Sequence, residues 1–258
     1  MAGGKGGVGK STVAAALHSV TGLTGVDLDV STPNLHVYTR AEEVGREEVT
    51  LRVPSPPDSC SLCGACAEVC PSGALVVGRT VDVDPGQCHG CGLCVEVCPE
   101  DALGVEEVVL GWVVRYRSGC GRLIGGEAVV GERRLRAVAR AVLEAAPGDA
   151  VLDGPAGAGK DVYDALRVCD AVIAVTVPTP AGFRDLERFL RLVEGAGLEE
   201  GVVFLNRSGL PGGGRWARRV ERVSPFPVVR GPEVEGDPLV DEGFLGAVSE
   251  ACSELGLG

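Results

Sequence analysis

Eight of the eleven cysteines in this 258-residue chain fall in one short stretch and follow a repeated spacing. The pattern CxxCxxCxxxCP occurs twice, and each cysteine of the first copy recurs 28 residues later. The first copy comprises Cys60, Cys63, Cys66 and Cys70, and the second comprises Cys88, Cys91, Cys94 and Cys98. Closely spaced thiolates followed by proline are typical ligands of iron–sulfur clusters. We therefore expect this stretch to bind 4Fe-4S clusters.

The ligands of the two expected clusters cross between the two copies. In the bacterial ferredoxin run, three close cysteines hold one cluster and the fourth ligates the other. The first cluster is therefore assigned Cys60, Cys63, Cys66 and Cys98, and the second is assigned Cys70, Cys88, Cys91 and Cys94. A pair of zinc sites is the alternative, although such sites usually have two CxxC pairs without a third close cysteine or a trailing proline.

A glycine-rich segment near residue 1 has the spacing of a phosphate-binding loop. Its residues match GxxxxGK[ST], in which backbone N–H groups surround phosphates, the lysine reaches the outer phosphates and the hydroxyl binds Mg²⁺. The following residues, 11–17, predict a helix whose N-terminus faces the phosphates. The expected nucleotide-binding residues here are Gly4, Lys5, Gly6, Gly7, Val8, Gly9, Lys10, Ser11 and Thr12.

A second segment has similar spacing but the wrong chemistry. Gly154, Gly159 and Lys160 repeat the glycine and lysine positions, and Asp161 stands where the hydroxyl residue belongs. An aspartate there places a negative charge beside phosphates and leaves no hydroxyl for Mg²⁺. We therefore reject this segment as a phosphate loop.

The composition indicates a cytoplasmic protein with neither nucleic-acid nor membrane partners. The formal net charge is −12, which repels polyanions and anionic lipid. The longest strongly apolar run, 171–177, is too short to span a bilayer, and the first residues do not have the pattern of a signal peptide. In a reducing compartment, cysteines point to metal or redox chemistry rather than to disulfides.

Outside the cysteine-rich stretch, short apolar runs alternate with helical patterns. Such runs are typical of buried strands in a parallel sheet. They predict an α/β fold with a doubly wound, mostly parallel sheet. In such a fold the ligand is expected at the carboxyl ends of the strands. Strands are expected at 25–30, 108–114, 150–153, 171–177 and 201–205, and helices at 132–146, 181–196 and 239–255.

The cysteine-rich stretch is expected to be an inserted domain. Its flanks are rich in proline or acidic residues, as at domain boundaries. We place a small α+β, ferredoxin-like domain at 53–105, and a discontinuous P-loop ATPase domain at 1–52 and 106–258. Residues 73–87 between the two cysteine runs predict a hairpin.

The phosphate loop also carries a resemblance to a known family. Residues 3–12 resemble the deviant Walker A loop of the MinD/ParA/Mrp P-loop ATPases, in which an extra lysine crosses a dimer interface. The resemblance implies that Lys5 acts in trans and Lys10 in cis, within a homodimer formed through the nucleotide face. The whole chain resembles the archaeal-type subgroup of these ATPases that has an inserted ferredoxin domain.

The same resemblance implies further site residues. Segment 27–36 is similar to switch I of the family, so Asp29 is expected to position water and Mg²⁺. Segment 151–157 is similar to the Walker B and switch II region, so Asp153 is expected to reach Mg²⁺. Segment 202–209 implies that Asn206 contacts adenine. The implied catalytic residues are Lys5, Lys10, Asp29 and Asp153, and the implied Mg²⁺ ligands are Ser11, Asp29 and Asp153.

Three functions are consistent with these motifs. The leading hypothesis is a Mg²⁺-dependent ATPase that couples ATP-driven dimer switching to electron transfer through two 4Fe-4S clusters. The alternatives are an Mrp-type assembly or carrier ATPase, which usually has closely paired C-terminal cysteines that this sequence lacks, and a redox-sensing adaptor that does not hydrolyse ATP. The redox partner or apo-acceptor protein is left unidentified. Because the family has a strand before its phosphate loop, we expect the native start to lie upstream of Met1.

A few other residues receive ordinary structural interpretations. Cys120 is interpreted as structural, and His18 and His36 as packing or surface residues without partners at metal-ligand spacing. The basic run at 215–222 is interpreted as a solvated helix face, with a docking patch for an acidic partner as the alternative.

Overall fold

The structure is a computed structural model that describes residues 7–155, 157 and 159–257. The helices are α1 (Lys10–Thr21), α2 (Leu35–Tyr38), α3 (Ala65–Glu68), α4 (Leu93–Glu96), α5 (Leu135–Ala145), α6 (Lys160–Leu166), α7 (Pro180–Ala196), α8 (Gly214–Val223) and α9 (Glu242–Glu254). The strands are β1 (Thr24–Asp27), β2 (Glu42–Ser55), β3 (Leu75–Val77), β4 (Val81–Val83), β5 (Gly104–Ser118), β6 (Gly121–Ala128), β7 (Ala150–Asp153), β8 (Ala171–Thr176), β9 (Glu200–Leu205) and β10 (Val228–Arg230). None of the helices in the described part of the chain is long and apolar enough to cross a membrane.

The chain divides into two units. The first comprises Met1–Arg46, Val113–Glu127 and Ala139–Gly258, and the second comprises Glu47–Trp112 and Ala128–Val138. The long strands β2 and β5 each contribute residues to both units. The second unit therefore contains both cysteine runs, the residues just before α5 and the first turn of that helix.

The described strands form a mostly parallel arrangement, which confirms the predicted α/β fold. One sheet has the order β2-β5-β6-β1-β7, and another has the order β10-β9-β8. The pairs β1–β6, β1–β7, β8–β9 and β9–β10 are parallel. By contrast, β5 and β6 are joined by only two residues, as in an antiparallel hairpin. Continuous burial along β8 and β9 explains their uninterrupted apolar sequences.

Capping residues set the ends of the long helices. Thr179 accepts a hydrogen bond from the Gly182 amide (3.0 Å) and Pro180 begins α7, which ends at Gly197 in the left-handed conformation (φ 76°). Asp241 caps α9 by accepting from the Phe244 amide (2.7 Å), so the helix begins three residues later than the predicted 239. The apolar face of α7 packs on β8 and β9 and forms the main core of this part of the first unit.

The second unit repeats one local structure around each cysteine run. The short helices α3 and α4 follow Gly64 (φ 82°) and Gly92 (φ 78°), two left-handed positions that favour glycine. Strands β3 and β4 pair antiparallel, as the hairpin predicted at 73–87 requires. The apolar residues buried here are few and are mixed with cysteines. A core this small is typical of domains that depend on bound metal for folding.

Candidate functional sites

The phosphate loop leads directly into α1. Gly7 (φ 97°) and Gly9 (φ 96°) adopt left-handed conformations, and α1 begins at the buried Lys10. No side chain in the described residues caps this helix N-terminus, so its first N–H groups are oriented to bind an anion. Of the predicted nucleotide-binding residues, Gly4, Lys5 and Gly6 lie outside the described residues.

Asn206 supports this loop from the end of β9. Its side-chain Nδ2 donates to the Val8 carbonyl (3.0 Å), and its backbone amide donates to Thr176 O (2.8 Å). A Cβ atom added at Gly9 would lie only 2.4 Å from the Asn206 amide nitrogen. Asn206 thus holds the loop and requires glycine at position 9. The adenine contact implied for Asn206 stays a prediction.

Two carboxylates lie side by side at the carboxyl ends of β1 and β7. Asp27 and Asp153 are register partners in this parallel pair, and they are only 4 % and 2 % exposed. Asp27 is well satisfied, because it accepts backbone hydrogen bonds from Asp29 (3.0 Å), Asn34 (2.8 Å) and Leu35 (3.0 Å). It therefore folds the following loop back over the strand end, a structural role that the sequence did not reveal.

Asp153 is not satisfied in the same way. Its carboxylate has a side-chain hydrogen bond with Ser11, but its buried Oδ1 has no hydrogen-bond partner among the described residues. Burial raises the pKa of Asp153 to about 6; repulsion from Asp27 acts in the same direction, while the Ser11 hydrogen bond opposes it. A buried carboxylate oxygen beside the Ser11 hydroxyl, in the first turn of α1, is the hard oxygen donor set that Mg²⁺ prefers. Ser11 and Asp153 therefore fit a Mg²⁺–nucleotide complex.

Asp29 lies in the loop after β1, which ends at Asp27 rather than at the predicted residue 30. Its Oδ1 accepts from the Ser31 hydroxyl (2.8 Å) and from the Thr32 amide (3.2 Å). These contacts keep the carboxylate within its own loop. A role for Asp29 in positioning water or Mg²⁺ stays a prediction.

The first predicted cluster set lines one cavity in the second unit. The cavity has a volume of about 320 Å³ including space open to solvent, and the cysteines in its wall are Cys60, Cys63, Cys66 and Cys98. These are the four cysteines assigned to the first cluster by the crossed pattern. Leu103 and Val77 are apolar residues in the same wall, so the thiols line a mainly apolar space that fits a metal–sulfur cluster.

The second predicted set also gathers in this unit. Cys70 packs against a small core that contains Cys88, and the thiol of Cys94 interacts electrostatically with those of Cys88 and Cys91. The described residues contain no group of three or more His, Cys, Asp or Glu side chains arranged as ligands of a metal ion. The assignment of ligands to individual clusters stays a prediction.

Backbone amides point at the cysteine sulfurs in both copies of the repeat. Leu62 N donates to Cys60 Sγ and Gly90 N donates to Cys88 Sγ, both at 3.3 Å. The second pair of bonds runs from Ala74 N to Cys70 Sγ and from Ala102 N to Cys98 Sγ, also at 3.3 Å. The Ala102 amide lowers the pKa of Cys98, whereas burial raises the pKa of Cys66 and Cys94. N–H donors to sulfur stabilise cluster thiolates.

Comparisons with known proteins bear on the cysteine-rich stretch and on the fold. A family model described as "4Fe-4S dicluster domain" matches residues 59–102. Over 98% of this chain and 91% of the other, the structure resembles the septum site-determining protein MinD complexed with Mg-ADP from Pyrococcus horikoshii (18% identity, TM-score 0.53). It also resembles a variant of McdA from Cyanothece in complex with ATP, over 100% of this chain and 95% of that one (14% identity, TM-score 0.57).

The chain is thus a protein of the MinD/ParA P-loop ATPase fold with a 4Fe-4S dicluster domain, and the resemblance seen in the sequence is confirmed. It belongs to the same family as the Uncharacterized protein MJ0579 of Methanocaldococcus jannaschii. The two chains are 31% identical over 222 residues, which cover 81% of this chain and 79% of its relative.

Replacing Asp153 with asparagine should stabilise the nucleotide-free chain at pH 7. Because its folded pKa is raised, Asp153 is protonated in the folded chain where the unfolded chain is ionised. The wild-type free energy of unfolding therefore falls as the pH rises from about 4 to about 6, by at most about 3 kcal/mol. Thermal unfolding with a chelator at pH 4 and pH 7 should show this loss in the wild type and a smaller loss in Asp153→Asn, because burial also raises the pKa of Asp27, which still titrates in the same direction.

The matched control for this experiment is Asp149→Asn, which removes an exposed aspartate from the turn before β7. This control should keep the wild-type pH dependence. Identical pH profiles for the wild type and Asp153→Asn would contradict the buried, unsatisfied state of the Asp153 carboxylate.

Replacing Asn206 with alanine should weaken the binding of adenine and guanine nucleotides to the same extent. Losing one buried hydrogen bond to the loop costs about 1.4 kcal/mol, or about tenfold in affinity. Calorimetric titration with Mg-ADP and Mg-GDP should show equal losses, while Ser208→Ala serves as a neighbouring control. A loss confined to the adenine nucleotide would instead favour the base contact implied by the resemblance.

Proposed function

We propose that this chain is an ATPase that couples nucleotide-dependent dimer switching to electron transfer through two 4Fe-4S clusters. The observation that carries the proposal is a ring stack between His36 of α2, the short helix that follows the loop after β1, and Tyr116 of β5. Strand β5 is the segment through which the chain returns from the cysteine-rich unit. The segment that we propose to sense the nucleotide therefore contacts, through α2, a strand that continues into the cysteine-rich unit.

The first part of the proposal concerns nucleotide hydrolysis. The N–H groups at the start of α1 and the Lys10 ammonium bind the phosphates, and Ser11 and Asp153 hold Mg²⁺. The bound metal ion supplies positive charge against the phosphate oxygens. Asp29 orients the attacking water, and Lys5 acts on the nucleotide of the partner in a homodimer formed through the nucleotide face.

The second part concerns how the loop is linked to the strands. The rings of His36 and Tyr116 are stacked, with centroids 4.8 Å apart and planes 9° apart. The Tyr116 hydroxyl donates to Glu127 (3.3 Å), and Glu127 pairs with Arg46 of β2 (3.5 Å). Burial, with the nearby Glu127 carboxylate, raises the pKa of Tyr116, so its hydroxyl stays protonated as a donor.

These contacts connect the loop to both strands that continue into the cysteine-rich unit. Asp27 fixes the start of the loop by accepting from the Leu35 amide, and His36 lies in the helix that follows. Tyr116 contacts Glu127, which in turn pairs with Arg46. Loops ordered by the γ-phosphate and Mg²⁺ are a known means of coupling nucleotide state to a distant element. In the proposed cycle, ATP orders the loop, shifts β2 and β5, and changes the access of a redox partner to the clusters.

Electron transfer is favoured over cluster delivery by how the cysteines are held. Each predicted cluster has four cysteine ligands from one unit, and backbone amides bond four of the eight sulfurs. Ligands fixed in this way favour retention of a cluster. The eight cysteines would hold the clusters, and each cluster would accept one electron from a low-potential donor and pass it to an acceptor without loss of iron.

Lys10→Ala should abolish ATP binding and hydrolysis while leaving the iron and sulfide content unchanged. Cys66→Ser should have the opposite effect: one cluster is lost first, while the chain still binds ATP. The two properties separate because the two sites lie on separate elements. Anaerobic purification, iron and acid-labile sulfide counting and phosphate-release assays measure both properties. If neither variant separates the two activities, the two-site proposal is wrong.

Tyr116→Leu should uncouple the sites while each keeps its ligand. Losing the ring removes the His36 stack, so ATP is still hydrolysed and both clusters are retained, but cluster reduction no longer responds to ATP. Stopped-flow absorbance with a chemical reductant measures this response. Tyr116→Phe keeps the ring and should therefore keep the response of cluster reduction to ATP. His36→Ala removes the other ring of the stack and should lose this response, as Tyr116→Leu does.

Two outcomes would contradict the coupling. One is a full response to ATP in both Tyr116→Leu and His36→Ala. The other is ATP-dependent movement of labelled iron to an apo-protein, which would indicate the cluster-carrier alternative instead.

A further inference from the structure

The two cysteine runs repeat in sequence, but different charges lie beside them. Arg134, immediately before α5, belongs to the cysteine-rich unit although it follows the second run by 36 residues. Its Nη1 donates to the carbonyls of Pro85 (2.8 Å) and Cys88 (3.2 Å). A guanidinium group is therefore fixed against the loop that carries Cys88, one of the ligands predicted for the second cluster.

The guanidinium is held in this orientation by Glu132. Glu132 accepts from Arg134 Nε through Oε1 (2.7 Å) and from Nη2 through Oε2 (2.6 Å), and this pairing lowers the pKa of Glu132 to about 2. The side chains of Arg134 and Glu132 are only 14% and 9% exposed, so solvent screens both charges poorly. The carboxylate occupies one edge of the guanidinium, which leaves Nη1 as the positive end that faces the Cys88 loop.

The corresponding neighbour of the first site carries the opposite charge. Glu100 accepts from the backbone amide of Ser61 (3.2 Å), next to Cys60, and its charge also acts on the Cys98 thiol. The residue 28 positions earlier in the repeat is Ser72, whose neutral hydroxyl lies 3.6 Å from Cys70 Sγ. A carboxylate thus accompanies the first site, and a guanidinium accompanies the second.

Other charged side chains near the Cys88 loop are more exposed. Asp84 accepts from Gly86 and Gln87 at the loop surface, and Arg133 and His89 are exposed as well. Glu100 is also exposed, which weakens its influence. Arg134 and its partner Glu132 are therefore the charged pair with the least screening at this loop.

We propose that Arg134 raises the reduction potential of the cluster held by Cys70, Cys88, Cys91 and Cys94 above that of the other cluster. Reduction adds one electron and makes a cluster more negative, so a nearby positive charge favours the reduced state and a carboxylate opposes it. Within one chain, an electron then leaves the first cluster, which is oxidised, and reduces the second. This inference rests on the proposed function only in requiring a 4Fe-4S cluster at each site.

The test is an EPR-monitored redox titration of the full chain, purified without oxygen. The wild type should show two midpoint potentials. Arg134→Gln should move the higher one to a more negative value and leave the lower one in place. Glu132→Gln should move the higher one to a more positive value, because it leaves the Arg134 charge unbalanced. The matched control, Arg133→Gln, removes an exposed neighbouring charge and should move neither potential appreciably.

Opposite shifts from the two partners of one ion pair distinguish an electrostatic role from a structural one. If Arg134→Gln loses a cluster, Arg134→Lys, which keeps the positive charge, should retain the wild-type potentials. The direction in which Glu132→Gln moves the higher midpoint potential then tests the electrostatic role. Two clusters per chain with unmoved potentials in Arg134→Gln and Glu132→Gln would overturn the role of Arg134 alone. Fewer than two clusters in the wild type, by iron and sulfide counting, would overturn both this inference and the proposed function.

Discussion

The burial of two neighbouring carboxylates at the ends of β1 and β7 is the constraint on which the nucleotide half of the molecule depends. Parallel pairing aligns Asp27 with Asp153, and burial removes water from both. Three backbone amides compensate Asp27 and in doing so shape the loop that carries Asp29 and leads to His36. The Oδ1 of Asp153 receives no such compensation from the described residues. An uncompensated buried oxygen costs about 1–3 kcal/mol, so a bound cation would relieve strain that the fold itself creates.

The cysteine-rich unit follows a related principle. Its apolar core is small, and its cysteines face shared space instead of packing as ordinary apolar side chains. Backbone amides that donate hydrogen bonds to the sulfurs favour the thiolate form, which binds a metal–sulfur cluster. Cluster binding then supplies folding energy that the small core does not provide. In both units, the protein backbone orients ligands whose charge is balanced only when a cofactor is present.

Local patterns made the main features of both sites predictable from the sequence. The cysteine spacing and the glycine-rich loop are short motifs whose chemistry depends on neighbours in the chain, and the capped helices and buried strands follow hydrophobic periodicity. Contacts between distant residues could not be read in this way: Asn206 with Val8, His36 with Tyr116, and Arg134 with the Cys88 loop. Cys120, interpreted as structural, is exposed at the tip of the β5–β6 hairpin because only two residues connect the strands.

The central claim is that the nucleotide state controls the redox behaviour of the clusters. The most direct measurement is the rate at which a one-electron reductant reduces the clusters of the wild-type chain, compared without nucleotide, with Mg-ADP and with Mg-ATP. The account predicts that Mg-ATP changes this rate relative to Mg-ADP while the iron content stays constant. Equal rates in all three states, with nucleotide shown to be bound, would contradict it.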